Sequence, residues 1–205
     1  LAAAPHNSPG TKHSYTYATE SVRRRGVPRL AKGEVLGAWA LTEPEAGSDS
    51  GATKTTAVRD DKGWVLNGTK NFITHASVGE VAVVMARTKP GSDHHGISAF
   101  VVPLKGPGVS VGKHEDKIGM RVSDTASLIL EDCRVGGDAL LGGEGDGFIQ
   151  AMEILDGGRI SIAALAVGIG RGALDAATAY AKERRQFAKP TAASQAGRFK
   201  LADRA

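Results

Sequence analysis

The stretch GDGFIQAMEILDGGRISIAALAVGIGRGALDAATAYA, residues 145–181, decides how the chain is read. Phe148, Met152 and Leu155 recur at helical spacing, and Ile162, Leu165, Ile169 and Leu174 continue the pattern. Alanine, the best helix former, is abundant over residues 163–181. The pattern predicts one long helix or two in series, eased at Gly157-Gly158. Pro190 then ends the run, and a further helix starts at Gln195. Upstream the texture changes. Residues 35–41, 53–59, 64–66, 81–88, 97–104 and 126–130 are apolar or β-branched runs separated by Gly, Pro, Asp and Ser, with a turn at 60–63. Short strands at this spacing, with no helices between them, argue for an antiparallel barrel or sandwich. Residues 1–33 are polar and mixed, with short helical candidates at 15–25 and 27–32 and a helix stop at Gly33. The expected fold class is α+β and multidomain: the end of an N-terminal helical domain (1–33), a middle β domain (34–135), and the start of an all-α helical-bundle domain (136–205).

Of the 205 residues, 41% are hydrophobic and 23% charged, which suits a globular chain rather than a disordered one. The net charge of +4 favours anionic partners without choosing among phosphorylated cofactors, nucleic acid and a merely solvated basic surface. Cys133 is the only cysteine, which excludes an internal disulfide and CxxC zinc spacing. The longest apolar stretch, residues 160–169, is bounded by Arg159 and Arg171 and is too short to span a bilayer, so no membrane partner is expected. The chain begins without Met and without the basic-then-apolar pattern of a signal peptide, and it stops inside a helical pattern. A fragment of a longer protein is expected.

Several motifs fail on context. Gly168-Ile169-Gly170-Arg171-Gly172-Ala173 fits the letters of a dinucleotide fingerprint but lies in an Ala-rich helical run with no strand before it. The glycine-rich run 142–147 lacks the Lys-Ser/Thr ending of a P-loop and reads as a flexible helix entry with Asp146 as N-cap. Among the six histidines none forms HExxH, and His94-His95 reads as a turn. No GxSxG elbow is present.

Residues 40–49, ALTEPEAGSD, offer more. A strand ends in Thr42-Glu43-Pro44, and a loop then presents Gly47, Ser48 and Asp49. Glycine permits close backbone approach, and free N–H groups beside a hydroxyl can cradle an anion. By composition alone an ordinary loop after a strand fits equally. The stretch, however, closely resembles the signature of the acyl-CoA dehydrogenase family, and further motifs follow in matching order and spacing. NGTKNFIT (67–74) looks like the family's second flavin-contact strand, and KIGMR (117–121) with Ser123-Asp124-Thr125 matches its late β-domain segment. LDGGRI (155–160) and ERRQF (183–187) match its helical-domain motifs. The similarity covers nearly the whole chain, and the Asp-Gly-Gly-Arg-Ile form is most like the short-chain, butyryl-CoA type.

The resemblance implies an FAD-dependent enzyme that converts a short- or medium-chain acyl-CoA to the trans-2-enoyl-CoA. It further implies an electron-transfer flavoprotein as partner and a homotetramer, placed in the cytoplasm of a bacterium or the mitochondrial matrix of a eukaryote. Trp39, Leu41, Thr42, Gly47 and Ser48 are expected on one side of the cofactor and Phe72, Ile73 and Thr74 on the other, with Thr74 as a hydrogen-bond donor near flavin N5. Ser48, Asp156 and Arg159 are expected on the substrate side; Asp156 and Arg159 also fit a plain helical ion pair. Arg184, Phe187 and Gln195 match residues that reach the FAD of a neighbouring subunit. Phe72 stands where many relatives carry Trp, Ala188 where Gly is usual, and Glu45 where a small residue is common. Gly158 occupies the position that supplies the base in a branched-chain subgroup, so no catalytic residue is assigned and the base is expected beyond residue 205. A flavin oxidase or monooxygenase of the same fold is an alternative. A nucleic-acid-binding relative is another, disfavoured by an aromatic content of only 5%.

Overall fold

The computed structural model of the chain describes residues 6–203, which divide into two compact units at the boundary between Arg159 and Ile160. The first unit opens with a π-helical turn at His6–Thr11, then α1 (Lys12–Tyr17) and α2 (Glu20–Ala31). The break falls at Ala18-Thr19 rather than at Gly26. Ala18 is extended, and the Thr19 hydroxyl caps α2 by accepting the Val22 N–H at 3.4 Å. Gly33 does end the segment, in the left-handed conformation (φ 69°) that favours glycine.

Eight strands form one sheet: β1 (Gly37–Ala40), β2 (Thr56–Asp60), β3 (Gly63–Thr74), β4 (Val81–Arg87), β5 (Ile97–Pro103), β6 (Val109–His114), β7 (Thr125–Gly136) and β8 (Leu140–Leu141). The order is β6-β7-β3-β2-β4-β5-β8, with β1 also on β4. Neighbours are antiparallel except that β1 and β2 both run parallel to β4, at Val81–Val84 and at Arg87 respectively. Strand β6 escapes the sequence reading because its VSVGKH pattern is largely polar and exposed, as suits an edge. The interior is built on inward residues of the long strands: Trp64 and Leu66 of β3, Phe100 and Val102 of β5, Leu128 and Leu130 of β7. Trp64 meets Phe100 edge-on at 5.2 Å.

Helix α3 (Gly147–Glu183) is a single helix of 37 residues and passes Gly157-Gly158 unbroken. The Lys12 side chain lies over Gly157, where a β-carbon would require only its flexible end to shift. The carboxylate of Asp146 turns back to accept Gly143 N–H at 3.0 Å instead of capping the helix. By length and composition alone α3 is apolar enough to cross a membrane, a property the ten-residue run 160–169 had not revealed, because Ala173, Ala176 and Ala177 extend the apolar character on its C-terminal side. Its first turns bury Gln150, Ala151 and Ile154 in the first unit. The helix ends at Glu183, earlier than the Pro190 expected from sequence. Pro190 belongs instead to a hairpin of β9 (Arg185–Gln186) and β10 (Lys189–Pro190), followed by α4 (Gln195–Ala202).

The two loop residues of that hairpin, Phe187 (φ 51°) and Ala188 (φ 59°), are both left-handed, as a two-residue hairpin turn demands. An alanine in this region is strained by roughly 1–2 kcal/mol. Ala188→Gly is therefore expected to stabilise the hairpin by about 1 kcal/mol, read as an approximately five-fold slowing of hydrogen exchange at the Gln186 and Lys189 amides.

Candidate cofactor cleft

The site begins where β1 ends. Beyond Ala40 the chain turns on itself, Glu43 N–H donating to Ala46 O at 3.0 Å. The turn points the Glu43 side chain into the protein. Its carboxylate accepts Lys70 Nζ at 2.7 Å, Lys54 N–H at 2.6 Å and Thr55 N–H at 3.0 Å. Lys70 Nζ donates in addition to Leu41 O at 3.1 Å, and Asn71 N–H to Thr42 O at 2.9 Å. Both charged side chains are buried, Lys70 at 0% exposure and Glu43 at 4%. Burial pushes the Lys70 ammonium down to about 8, although Glu43 acts in the other direction. Burial works to raise the Glu43 carboxyl, but Lys70 and the donors around it prevail and hold it below the usual value.

Strand β3 carries the second half of the site. Its pairing with β7 slips between Lys70 and Ile73, a bulge in which Phe72 takes a left-handed backbone (φ 58°). The bulge resets the in–out alternation. Lys70 and Ile73 both point inward, while Phe72 stands 61% exposed. Just beyond, His75 (φ 65°) is buried and its Nδ1 donates to Gly37 O at 3.1 Å, tying the end of β3 to the start of β1. Between the two strands lies a cleft of about 200 Å³. Trp39, Leu41 and Thr42 line it from β1 and its loop, Phe72, Ile73 and Thr74 from β3, and Pro9 and Gly37 complete the lining. Aromatic and aliphatic surface from two walls, with two threonines at the rim, suits a flat, largely apolar ring system that carries a few polar atoms.

Six residues singled out in the sequence thus meet in one cleft. The remainder do not. Gly47 and Ser48 sit exposed on the outer turn, and a β-carbon at Gly47 would touch nothing within 4 Å. Asp156 and Arg159 form an exposed i,i+3 ion pair at 3.6 Å on α3. In the second unit Arg184, Phe187 and Gln195 are all exposed, with Phe187 at 96%. Residues the sequence reading missed hold the cleft together. Lys70 had a legible signal, because the alternation Trp64, Leu66, Gly68, Lys70 places it on the inward face. His13 and Gln150, discussed below, gave none.

The acyl-CoA dehydrogenase middle-domain model matches residues 38–133 and the C-terminal-domain model matches residues 145–205. An acyl-CoA dehydrogenase of Bacillus subtilis is 46% identical over 98% of this chain and 53% of its own length. The human mitochondrial short-chain specific acyl-CoA dehydrogenase is 47% identical over 92% of this chain and 46% of its own length. The structure of butyryl-CoA dehydrogenase from Megasphaera elsdenii superposes with a TM-score of 0.93 at 40% identity, covering 99% of this chain and 53% of that one. The chain belongs to the acyl-CoA dehydrogenase family, and it spans about half the length of the relatives it matches.

Removing one partner of a buried ion pair strands the other, at a cost of about 3–5 kcal/mol. Glu43→Gln is expected to lose stability of that order in urea denaturation, and adding Lys70→Met to recover part of it. Glu43 titrates lower in the folded chain than in the unfolded one. Its contribution is therefore complete above its ordinary carboxylate value and is lost as pH falls through the lower, folded value. Stability measured across that acid window is expected to fall more shallowly in Glu43→Gln than in the parent.

Proposed function

We propose that this chain is the cofactor-binding portion of an FAD-dependent acyl-CoA dehydrogenase acting on short- or medium-chain acyl-CoA to give the trans-2-enoyl-CoA, with an electron-transfer flavoprotein as acceptor. The observation that carries this reading is the joining of two separate family motifs, residues 39–42 and 72–74, into one cleft of aromatic and aliphatic walls. When bound, FAD supplies the hydride acceptor. The protein's part is to hold and orient. Trp39, Leu41, Phe72 and Ile73 are assigned the faces of the ring system and exclude water from it. Thr42 and Thr74 are assigned its polar edge, where a donor stabilises developing negative charge. Gly47 and Ser48 are assigned the diphosphate end, Ser48 together with Asp156 and Arg159 the acyl-CoA. Arg184, Phe187 and Gln195 are assigned a neighbouring subunit's cofactor in a homotetramer. No residue of this chain is assigned as the base.

The division into residues 1–33, 34–135 and 136–205 is carried as part of the proposal. So is a location in the cytoplasm of a bacterium or the matrix of a mitochondrion. The apolar surface of α3, interrupted by Asp156, Arg159, Arg171 and Asp175, is assigned to packing against protein rather than lipid.

Anaerobic titration of the full-length protein with butyryl-CoA tests the reaction. Bleaching of the oxidised-flavin absorbance at stoichiometric substrate is the expected result. Bound flavin that stays oxidised with butyryl-CoA and with longer acyl-CoA thioesters favours the oxidase or monooxygenase alternative, and folded protein without flavin contradicts the reading altogether. Arg184→Ala removes a charge-assisted hydrogen bond worth about 1.5–3 kcal/mol. It is expected to weaken FAD binding roughly 10- to 100-fold in equilibrium binding measurements.

A further inference from the structure

Trp39 is the one wall of the cleft whose side chain carries a polar atom tied back into the protein. Its indole Nε1–H donates to Nδ1 of His13 at 3.1 Å. A ring nitrogen that accepts is unprotonated, so the hydrogen of the neutral imidazole sits on Nε2. Nε2 lies 2.9 Å from Oε1 of Gln150 on α3 and donates to it. The amide of Gln150 donates in turn to Leu141 O at 2.9 Å, which fixes the end of the amide that faces His13. Each member of the chain Trp39–His13–Gln150–Leu141 therefore has a single donor–acceptor role, and one tautomer of His13 satisfies all three bonds.

The surroundings are built to keep it so. His13 is fully buried and Gln150 is 3% exposed. Burial holds the imidazole below the usual histidine value, with the Gln150 bond acting in the opposite sense. A β-carbon at Gly142, itself left-handed (φ 66°), would collide with the Gln150 amide. The Tyr17 ring meets His13 edge-on at 5.3 Å, and its hydroxyl is bonded to Glu153, one turn further along α3. Two struts thus run from the N-terminal segment to the same helix.

We propose that His13 is a positioning residue for the cofactor cleft: as the neutral Nε2–H tautomer it sets the tilt of the Trp39 indole and joins that wall to helix α3. Trp39 itself is only half-buried, on the short strand β1 opposite Val83, so packing alone leaves its ring plane underdetermined. The bond to a fully buried acceptor removes that freedom. The inference rests on the proposal that the cleft holds a flavin, and it deepens that proposal by naming the residue that orients one wall.

The test uses the full-length flavoprotein and four variants: His13→Phe, His13→Gln, Trp39→Phe, and the double variant His13→Phe/Trp39→Phe. The readouts are visible-region circular dichroism of the bound flavin and its dissociation constant. His13→Phe is expected to change the dichroism and to weaken flavin binding about 2- to 10-fold, the equivalent of one neutral hydrogen bond. His13→Gln, which keeps an acceptor, is expected to restore most of both. In the Trp39→Phe background, adding His13→Phe is expected to change neither readout, because the two residues act as one unit. Additive effects in the double variant, or a His13→Phe protein with the parent's spectrum and affinity, overturn the inference. If His13→Phe fails to fold, a His13→Gln protein whose dichroism departs as far as that of Trp39→Phe overturns it equally. A wild-type protein that folds without flavin overturns the cofactor reading and this inference together, whereas additive effects in a flavin-loaded protein overturn this inference alone.

Discussion

A carboxylate and an ammonium taken out of water together set the terms for the rest of the first unit. Glu43 and Lys70 come from segments far apart in sequence, and neither could be buried without the other. Their pairing costs desolvation, a cost that an apolar pair of similar volume would avoid. What an apolar pair could not do is satisfy the Leu41 carbonyl and the Lys54 and Thr55 amides, all of which bond to this pair. The loop after β1 is thereby fixed to β3 at the height where Leu41 and Thr42 enter the cleft. The Asn71–Thr42 backbone bond and the His75–Gly37 bond place two further ties on the same seam.

The bulge in β3 makes the seam into a surface. Without an extra residue between Lys70 and Ile73, strict alternation would send Phe72 inward and Ile73 outward. With it, the strand keeps both Lys70 and Ile73 inside and displays the Phe72 ring. The local strain of left-handed Phe72 and His75 is held by surrounding bonds, in keeping with the tendency of such conformations to gather at functional positions.

How much of this was legible depends on the range of the interaction responsible. Strands β1, β2, β4, β5 and β7 and the long α3 follow from apolar runs and helical spacing, which are local. The unbroken passage through Gly157-Gly158 does not, because two adjacent glycines read locally as a weak point, whereas the helix runs through them from Gly147 to Glu183. The early end of α3 was obscured by reading Pro190 as the breaker, when Phe187 and Ala188 already turn the chain into a hairpin. In the cleft, the motif residues of β1 and β3 were linked to one another only through resemblance; composition left ALTEPEAGSD as an ordinary loop. Lys70 could have been found from strand parity. His13 and Gln150 could not, since each is an unremarked polar residue whose role exists only once α1, β1 and α3 are packed.

On the proposed function, residues 39–43 and 70–75 form one cofactor bed, made by long-range polar ties and completed by a bulge. Hydrogen exchange on the full-length protein, stripped of flavin and then titrated with FAD, tests that claim most directly. The account predicts that amides in both segments slow together, with a single FAD dependence, while the β4–β5 amides stay protected throughout. Slowing in only one of the two segments, or in neither while FAD is bound elsewhere, would contradict it.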